Sequence, residues 1–273
     1  MKSITSTVKL NNNVDMPIFG LGLYRSKTGN ETQQAIQWAH DSGYIMFDTA
    51  QIYGNEQDLG RALKNLEIGR ENVWITTKLW RENLGNNLVS SFEKSLEKLQ
   101  LEFVDLLLIH WPKKDKKLDA WDQMTKLLDE GRARSIGVSN FMTWHIKEIL
   151  ENSSVVPQVN QCEFSPYLHD PDLLKICKEN KIQFEAYSPL TKGQKLKDPK
   201  LVEIANKYNK SPAQILIRWG LEQNAIQIPK SVKKERIKEN SEIFDFSLSK
   251  DDFNEMNSWN IDLVTGWNPW KQD

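Results

Sequence analysis

The feature that most constrains this chain is an alternation of short apolar runs with amphipathic stretches of helical length. Eight runs have β-type composition and cover residues 19–24, 44–49, 73–79, 103–111, 133–139, 155–164, 182–188 and 225–230. They are nearly continuous in apolar residues, as is typical of parallel strands buried on both faces. The pattern predicts an α/β protein with either a closed parallel barrel or a doubly wound sheet.

The stretches between these runs have the length and signals of helices. They cover residues 30–42, 86–99, 119–130, 142–151, 171–180 and 199–222. Asp170-Pro171 and Ser211-Pro212 each place a proline at a first helical position behind a good N-cap residue. Gly43 lies where the first helix should end.

The glycine pattern favours the barrel over the doubly wound sheet. A doubly wound nucleotide-binding sheet usually carries G-x-G-x-x-G at its first turn, whereas here Gly20 and Gly22 are followed by Arg25 at the third glycine position. Residues 7–18 resemble a short hairpin that would close the bottom of a barrel. We therefore predict a (β/α)8 TIM barrel with a short N-terminal β-hairpin, and residues 1–273 suit a single domain.

Charge and hydropathy exclude several classes of function. Lys and Arg total 36 against 37 Asp and Glu, so no basic surface for nucleic acid is expected. No apolar run approaches the roughly 20 residues that span a bilayer, and the amino terminus does not resemble a signal peptide. Cys162 and Cys177 have neither a disulfide nor a metal-ligand spacing. We expect a cytoplasmic protein without a metal site.

Four ionisable residues fall at the ends of neighbouring predicted strands. Asp48 ends the second strand, Tyr53 follows in its loop, Lys78 lies near the end of the third strand and His110 near the end of the fourth. The carboxyl ends of barrel strands meet at one face, where barrel enzymes have their active sites. The spacing therefore predicts that these four side chains meet.

Their chemistry indicates proton transfer to a carbonyl oxygen. A phenol has a pKa of about 10, and an ammonium such as Lys78 beside Tyr53 would lower it. Asp48 would hold Lys78 charged, and His110 would donate a hydrogen bond to the same oxygen. Taken alone, Asp48 and Lys78 also fit a structural ion pair, His110 fits a core histidine and Tyr53 fits a loop tyrosine. The four residues together favour catalysis.

Seven motifs carry a resemblance to a known family. They are FDTAQIYGNE (47–56), ITTKLW (75–80), LLLIHWP (106–112), IGVSNF (136–141), QCEFSPY (161–167), AYSPL (186–190) and IPKSVKKERIKEN (228–240). The chain resembles the aldo-keto reductase superfamily from about residue 8 to about residue 255, and is most similar to the bacterial 2,5-diketo-D-gluconate and methylglyoxal reductases. The resemblance implies that Asp48, Tyr53, Lys78 and His110 are a catalytic tetrad.

The resemblance also implies a bound NADPH. Ser139, Asn140 and Gln161 match positions that bind the nicotinamide carboxamide, and Tyr187 matches the aromatic residue that stacks on the ring. The remaining matches are Ser188 and Leu190 for the diphosphate, and Lys230, Ser231, Arg236, Glu239 and Asn240 for the adenine and 2′-phosphate. Two cations suit a phosphate, which favours NADPH over NADH.

The substrate pocket is expected above the nicotinamide. Tyr24, Trp80 and Trp111, together with His110, match its aromatic and polar positions. Trp267 and Trp270 admit two interpretations: they lie over the pocket, or they only anchor the tail. The tail after residue 258 has no counterpart that the resemblance supplies.

The resulting hypothesis is a monomeric enzyme that reduces small dicarbonyls or keto sugar acids to alcohols with NADPH. One alternative is a catalytically weak redox sensor or partner subunit of the same fold, which binds NADPH without turnover. Another is a barrel lyase in which Lys78 forms a Schiff base.

Overall fold

The computed structural model describes residues 2–271 and contains a parallel β-barrel. After a hairpin of β1 (Thr7–Lys9) and β2 (Asp15–Pro17), eight strands pair in sequence order. These are β3 (Leu21–Gly22), β4 (Met46–Asp48), β5 (Trp74–Leu79), β6 (Val104–Ile109), β7 (Ala133–Ser139), β8 (Val159–Glu163), β9 (Gln183–Tyr187) and β10 (Ile226–Gln227). A parallel bridge between Phe19 and Gln227 joins the last strand to the first. The predicted barrel is confirmed.

The N-terminal hairpin covers the amino-terminal end of the strands. Asn11 and Asn12 donate side-chain hydrogen bonds to the carbonyls of Pro157 and Arg134, each at 3.0 Å. Met16 of the hairpin is fully buried against the apolar barrel interior. The hairpin therefore closes the bottom of the barrel, as the sequence predicts, and leaves the carboxyl ends of the strands for a site.

Ten helices follow the strands or pack around them in the described residues. They are α1 (Asn30–Asp41), α2 (Glu56–Asn65), α3 (Leu88–Leu99), α4 (Lys117–Asp129), α5 (Thr143–Asn152), α6 (Pro171–Glu179), α7 (Pro199–Tyr208), α8 (Pro212–Glu222), α9 (Lys234–Ser241) and α10 (Lys250–Asn257). The stretch over 199–222 forms two helices, and the helix start predicted at Ser211-Pro212 is confirmed. Asn209 adopts a left-handed conformation with φ 51°, and Ser211 begins a new helix through a capping box with Gln214.

The barrel interior has an apolar lower part and a polar upper part. The lower part is a cluster of buried side chains, among them Met46, Trp74, Leu106, Val159 and Ile226. Above it, towards the carboxyl ends, lie buried polar side chains that the site uses. In the described part of the chain, no helix has the length and apolar composition needed to cross a membrane.

Candidate active site

A buried ion pair lies at the centre of the polar part of the barrel. Lys78 on β5 is fully buried, and its Nζ donates to Asp48 Oδ1 on β4 at 2.5 Å and to the carbonyl of Thr49 at 2.9 Å. Because an unpaired charge in this environment would cost several kcal/mol, the two side chains are held together. An ammonium engaged in this way is not a free nucleophile, which argues against the Schiff-base lyase.

Tyr53 reaches this pair from the loop after β4. It ends a 3-10 turn, Gln51–Tyr53, and its hydroxyl lies 3.4 Å from Lys78 Nζ. The turn is anchored by Gln51, whose Oε1 accepts from the Trp80 amide at 2.9 Å. The imidazole of His110 lies edge-on to the Tyr53 ring, with centroids 5.5 Å apart. The structure thus brings the four predicted tetrad residues together.

The expectation that Lys78 lowers the pKa of Tyr53 is wrong for this structure. Burial of the hydroxyl raises the pKa of Tyr53 well above its ordinary value, and the Asp48 carboxylate acts in the same direction. Since Lys78 is already paired with Asp48, its charge is largely compensated. Tyr53 is therefore a protonated phenol in the resting site, which is the state that a proton donor requires.

His110 is a neutral imidazole in the resting site. Burial lowers its pKa well below the ordinary value, and the neighbouring Lys78 charge adds to the effect. Its Nδ1 is buried and has no hydrogen-bond partner among the described residues. A neutral imidazole carries one N–H, so His110 can donate to an oxygen without competing with Tyr53 as the stronger acid.

A second buried carboxyl group lies beside the ion pair. Glu185 on β9 is fully buried, and burial together with the nearby Asp48 raises its pKa to about 8. Gln161 on β8 links the two acids, since its Nε2 donates to Asp48 at 2.9 Å and to Glu185 at 2.8 Å. Glu185 is not among the predicted site residues, because its acid is a single one within the apolar run IQFEAYS. Two acids thus face one ammonium.

A cavity of about 1180 Å³ opens above this polar layer. Of the predicted site residues, all except Lys78 line it: Tyr24, Asp48, Tyr53, Trp80, His110, Trp111, Ser139, Asn140, Gln161, Tyr187, Ser188, Leu190, Lys230, Ser231, Arg236, Glu239 and Asn240. Lys78 lies beneath the floor, fully buried. Residues from most of the barrel strands therefore converge on one space.

The amide side chains of the cavity, Asn140 and Gln161, already form hydrogen bonds with neighbouring residues. Asn140, held in a left-handed conformation with φ 63°, accepts from the Tyr187 hydroxyl at 2.7 Å and donates to Ser139 at 3.1 Å. Both hydrogens of the Gln161 amide are used on Asp48 and Glu185. Gln161 can therefore offer a carboxamide only its carbonyl oxygen as an acceptor, and Tyr187 is fixed by its own hydroxyl.

The far end of the cavity is cationic. Lys230, Lys233 and Arg236 line it around the start of α9. Burial lowers the pKa of Lys230, and no carboxylate forms a close ion pair with it or with Arg236 among the residues described. Clustered cations at a helix start suit an anionic ligand such as a phosphate.

The near end of the cavity is aromatic, and it includes one of the two tail tryptophans. The Trp267 ring centroid lies 5.7 Å from that of Trp80 and 5.7 Å from that of Trp111. Trp267 therefore lies over the pocket, whereas Trp270 belongs to a 3-10 turn and does not line the cavity. The first of the two interpretations left open by the sequence therefore holds for Trp267 and does not hold for Trp270.

Several cavity residues were missed by sequence reasoning. Arg25, Ile52, Lys192, Leu196 and Val232 all line the cavity. Arg25 had a signal, because it directly follows Tyr24 at the end of the first barrel strand. Lys192 and Leu196, which follow β9, gave no such signal, because a short loop has no periodicity that shows which way it folds.

A parallel barrel with ionisable groups and a cavity at the carboxyl ends of its strands has the architecture of a barrel enzyme. Comparison with known proteins identifies the family. Residues 18–261 match the model of the Aldo/keto reductase family. The chain therefore belongs to the aldo/keto reductase family.

Individual relatives match over nearly their whole length. Glyoxal reductase of Bacillus subtilis (strain 168) is 46% identical over 268 residues, which are 98% of this chain and 97% of that protein. Methylglyoxal reductase DkgA of Escherichia coli O157:H7 is 42% identical over 92% of each chain. A Bombyx mori aldo-keto reductase solved in complex with NADP is 34% identical, with a TM-score of 0.88, over 96% of this chain and 95% of that one.

Proposed function

We propose that this chain reduces aldehydes and ketones to alcohols with NADPH, and that small dicarbonyls such as glyoxals are its substrates. The observation that carries the proposal is the position of Tyr53, a protonated phenol that lines the cavity and lies 3.4 Å from a buried ammonium. The similarity to proteins named glyoxal and methylglyoxal reductase supports the substrate class.

The cavity fits an extended dinucleotide. Its cationic end, at Lys230, Lys233 and Arg236, suits the 2′-phosphate, and the ring of Tyr187 suits a stacked nicotinamide near the tetrad. Ser139 and the carbonyl oxygen of Gln161 would meet the carboxamide. When bound, NADPH supplies the hydride that adds to the carbonyl carbon.

The residues of the tetrad handle the proton. As the carbonyl oxygen gains negative charge, Tyr53 transfers its hydroxyl proton to that oxygen, which completes the alcohol. The transfer is favourable even with a raised phenol pKa, because an alkoxide is a much stronger base than a phenolate. The phenolate that remains lies 3.4 Å from the Lys78 ammonium, whose charge is shared with Asp48, and solvent returns the proton to Tyr53.

His110 and the aromatic walls orient the substrate. The single N–H of His110 can donate to the carbonyl oxygen and polarise it, while Trp80 and Trp111 limit access of water. A neutral dicarbonyl has no charge for the pocket to compensate, so its binding needs no cation from the protein. A keto sugar acid would require a partner for its carboxylate, which makes it the second substrate candidate.

The proposal is tested by the oxidation of NADPH, followed by its absorbance, with methylglyoxal, phenylglyoxal, benzaldehyde and a diketo sugar acid. We expect turnover with the glyoxals, and much less when NADH replaces NADPH. Tight NADPH binding without turnover of any carbonyl compound would contradict the proposal and favour the redox sensor.

A further inference from the structure

The C-terminal tail crosses the mouth of the barrel on its way to the pocket. The tail segment, defined as residues 260–268, begins by pairing with the loop after β8. The amides of Ile261 and Leu263 both donate to the carbonyl of Tyr167, at 3.2 and 3.0 Å. These contacts fix where the tail starts, but they lie four residues or more from Trp267.

A buried carboxylate holds the middle of the tail segment. Glu163, the last residue of β8, is only 7% exposed. Its Oε1 accepts from the Thr265 amide at 3.0 Å and also from the Thr265 hydroxyl. Burial raises the pKa of Glu163, and the Thr265 contacts act against that rise because they stabilise the carboxylate. Each partner therefore stabilises the other, since Glu163 would lose both donors if the tail moved away.

Trp267 depends on this contact for its position. It lies two residues beyond Thr265, with its ring against Trp80 and Trp111, and yet 54% of it is exposed. A side chain so exposed is not held by burial alone. Lys192 also donates to the Thr265 carbonyl, at 2.6 Å, but Lys192 is exposed and a contact of this kind contributes little.

We propose that Glu163 and Thr265 form a clasp that positions Trp267 as a wall of the substrate pocket and thereby favours carbonyl compounds with an aromatic substituent. The inference rests on the proposed reductase activity for its kinetic consequences. The clasp itself is a structural feature whose test does not need turnover. Glu163 and Thr265 are positioning residues, because they act on the substrate through Trp267.

The kinetic test compares phenylglyoxal, which is large enough to contact Trp267, with the smaller methylglyoxal. In Thr265→Val, which removes the hydroxyl, we expect the KM for phenylglyoxal to rise roughly three- to tenfold, the size of one lost aromatic contact. The KM for methylglyoxal and both kcat values should stay within about twofold, since the tetrad is untouched. Thr265→Ser, which keeps the hydroxyl, should retain the wild-type KM for phenylglyoxal. Thr125→Val on α4 is the matched control.

The double variant Thr265→Val/Trp267→Ala shows whether the clasp acts through the tryptophan. If it does, the KM for phenylglyoxal should equal that of Trp267→Ala alone, because nothing remains to be positioned. Additive increases would contradict the proposal. An equal rise in the KM for both glyoxals, or a fall in kcat, would also contradict the proposal, since these outcomes indicate damage to the tetrad.

Hydrogen exchange measured by mass spectrometry tests the clasp without any substrate. We expect the Thr265 amide, resolved by overlapping peptides that cover residues 260–268, to exchange at least about tenfold faster in Glu163→Ala than in wild type, because it loses its acceptor. Peptides from β5 and β6 should be unchanged. Unchanged exchange in the tail would overturn the clasp, whereas an inactive wild-type enzyme with a faster-exchanging variant tail would contradict only the proposed function.

Discussion

The floor and the rim of the cavity are built in different ways. The floor residues Asp48, Lys78, Gln161 and Glu185 all lie on barrel strands or at their ends, are buried, and are joined by hydrogen bonds of 2.5–2.9 Å. The rim residues, such as Trp267, come from loops and the tail and are substantially exposed. The buried charges are thus placed on rigid strands, Tyr53 reaches them from an anchored 3-10 turn, and substrate contacts also come from segments that can vary.

The largest expected effect is the loss of a floor charge. In Lys78→Met, the Asp48 carboxylate stays buried without its cation, so we expect the free energy of unfolding to fall by roughly 3–5 kcal/mol. Asp48→Asn/Lys78→Met should recover much of that loss. Urea unfolding measures both, and Lys126→Met, which breaks the exposed pair with Asp122, should cost less than about 1 kcal/mol. Similar losses of unfolding free energy in Lys78→Met and Lys126→Met would contradict the distinction between the floor and the surface.

The second acid of the floor makes stability depend on pH. Because the pKa of Glu185 is raised to about 8 in the folded protein, the folded state keeps a proton that the unfolded state releases near pH 4.5. As pH rises between these two values, the free energy of unfolding should therefore fall by about 1.4 kcal/mol per pH unit. Glu185→Gln should remove the part of the decline that is due to Glu185 and be more stable than wild type by a few kcal/mol at pH 9. Parallel stability curves for wild type and Glu185→Gln would contradict this, and the exposed Glu179→Gln is the control.

The cationic end of the cavity should govern the choice of cofactor. We expect Arg236→Ala to weaken NADPH binding roughly 10- to 100-fold, the worth of a charge-assisted hydrogen bond. NADH lacks the 2′-phosphate, so its affinity should change by less than about twofold. Fluorescence titration measures both, with Lys238→Ala on the same helix as the control. Equal losses for the two cofactors would rule out contact with the 2′-phosphate.

The smallest expected effect on stability belongs to the rim. Trp267→Ala should change the free energy of unfolding by less than about 1 kcal/mol, because the ring is more exposed than buried. Trp74→Ala, in the apolar interior, should cost roughly 3–5 kcal/mol. Thermal unfolding distinguishes the two, and a large loss in Trp267→Ala would make the tail part of the core.

This division explains what the sequence could predict. The eight strands follow from apolar runs, and Asp48, Lys78 and His110 could be grouped because parallel strands end at one face. These are local patterns combined with one topological rule. The start of α8 also follows from a local pattern, the N-cap residue and proline of Ser211-Pro212.

Other features depend on contacts that no local pattern records. Thr265 meets Glu163 across 102 residues of sequence. The direction of the Tyr53 pKa depends on how deeply its hydroxyl is buried and on Asp48 being the closer partner of Lys78, neither of which the spacing reveals. Glu185 was overlooked because a single acid in a buried strand becomes informative only when its neighbours are known.

The most direct test of the account is the single-turnover rate of methylglyoxal reduction by preformed NADPH complexes of wild type and Tyr53→Phe. We expect NADPH to bind both proteins equally and the rate to fall roughly 10²- to 10⁴-fold in the variant, because the proton donor is gone. Reduction by Tyr53→Phe at the wild-type rate would show that another group supplies the proton, and would contradict the central role assigned to Tyr53.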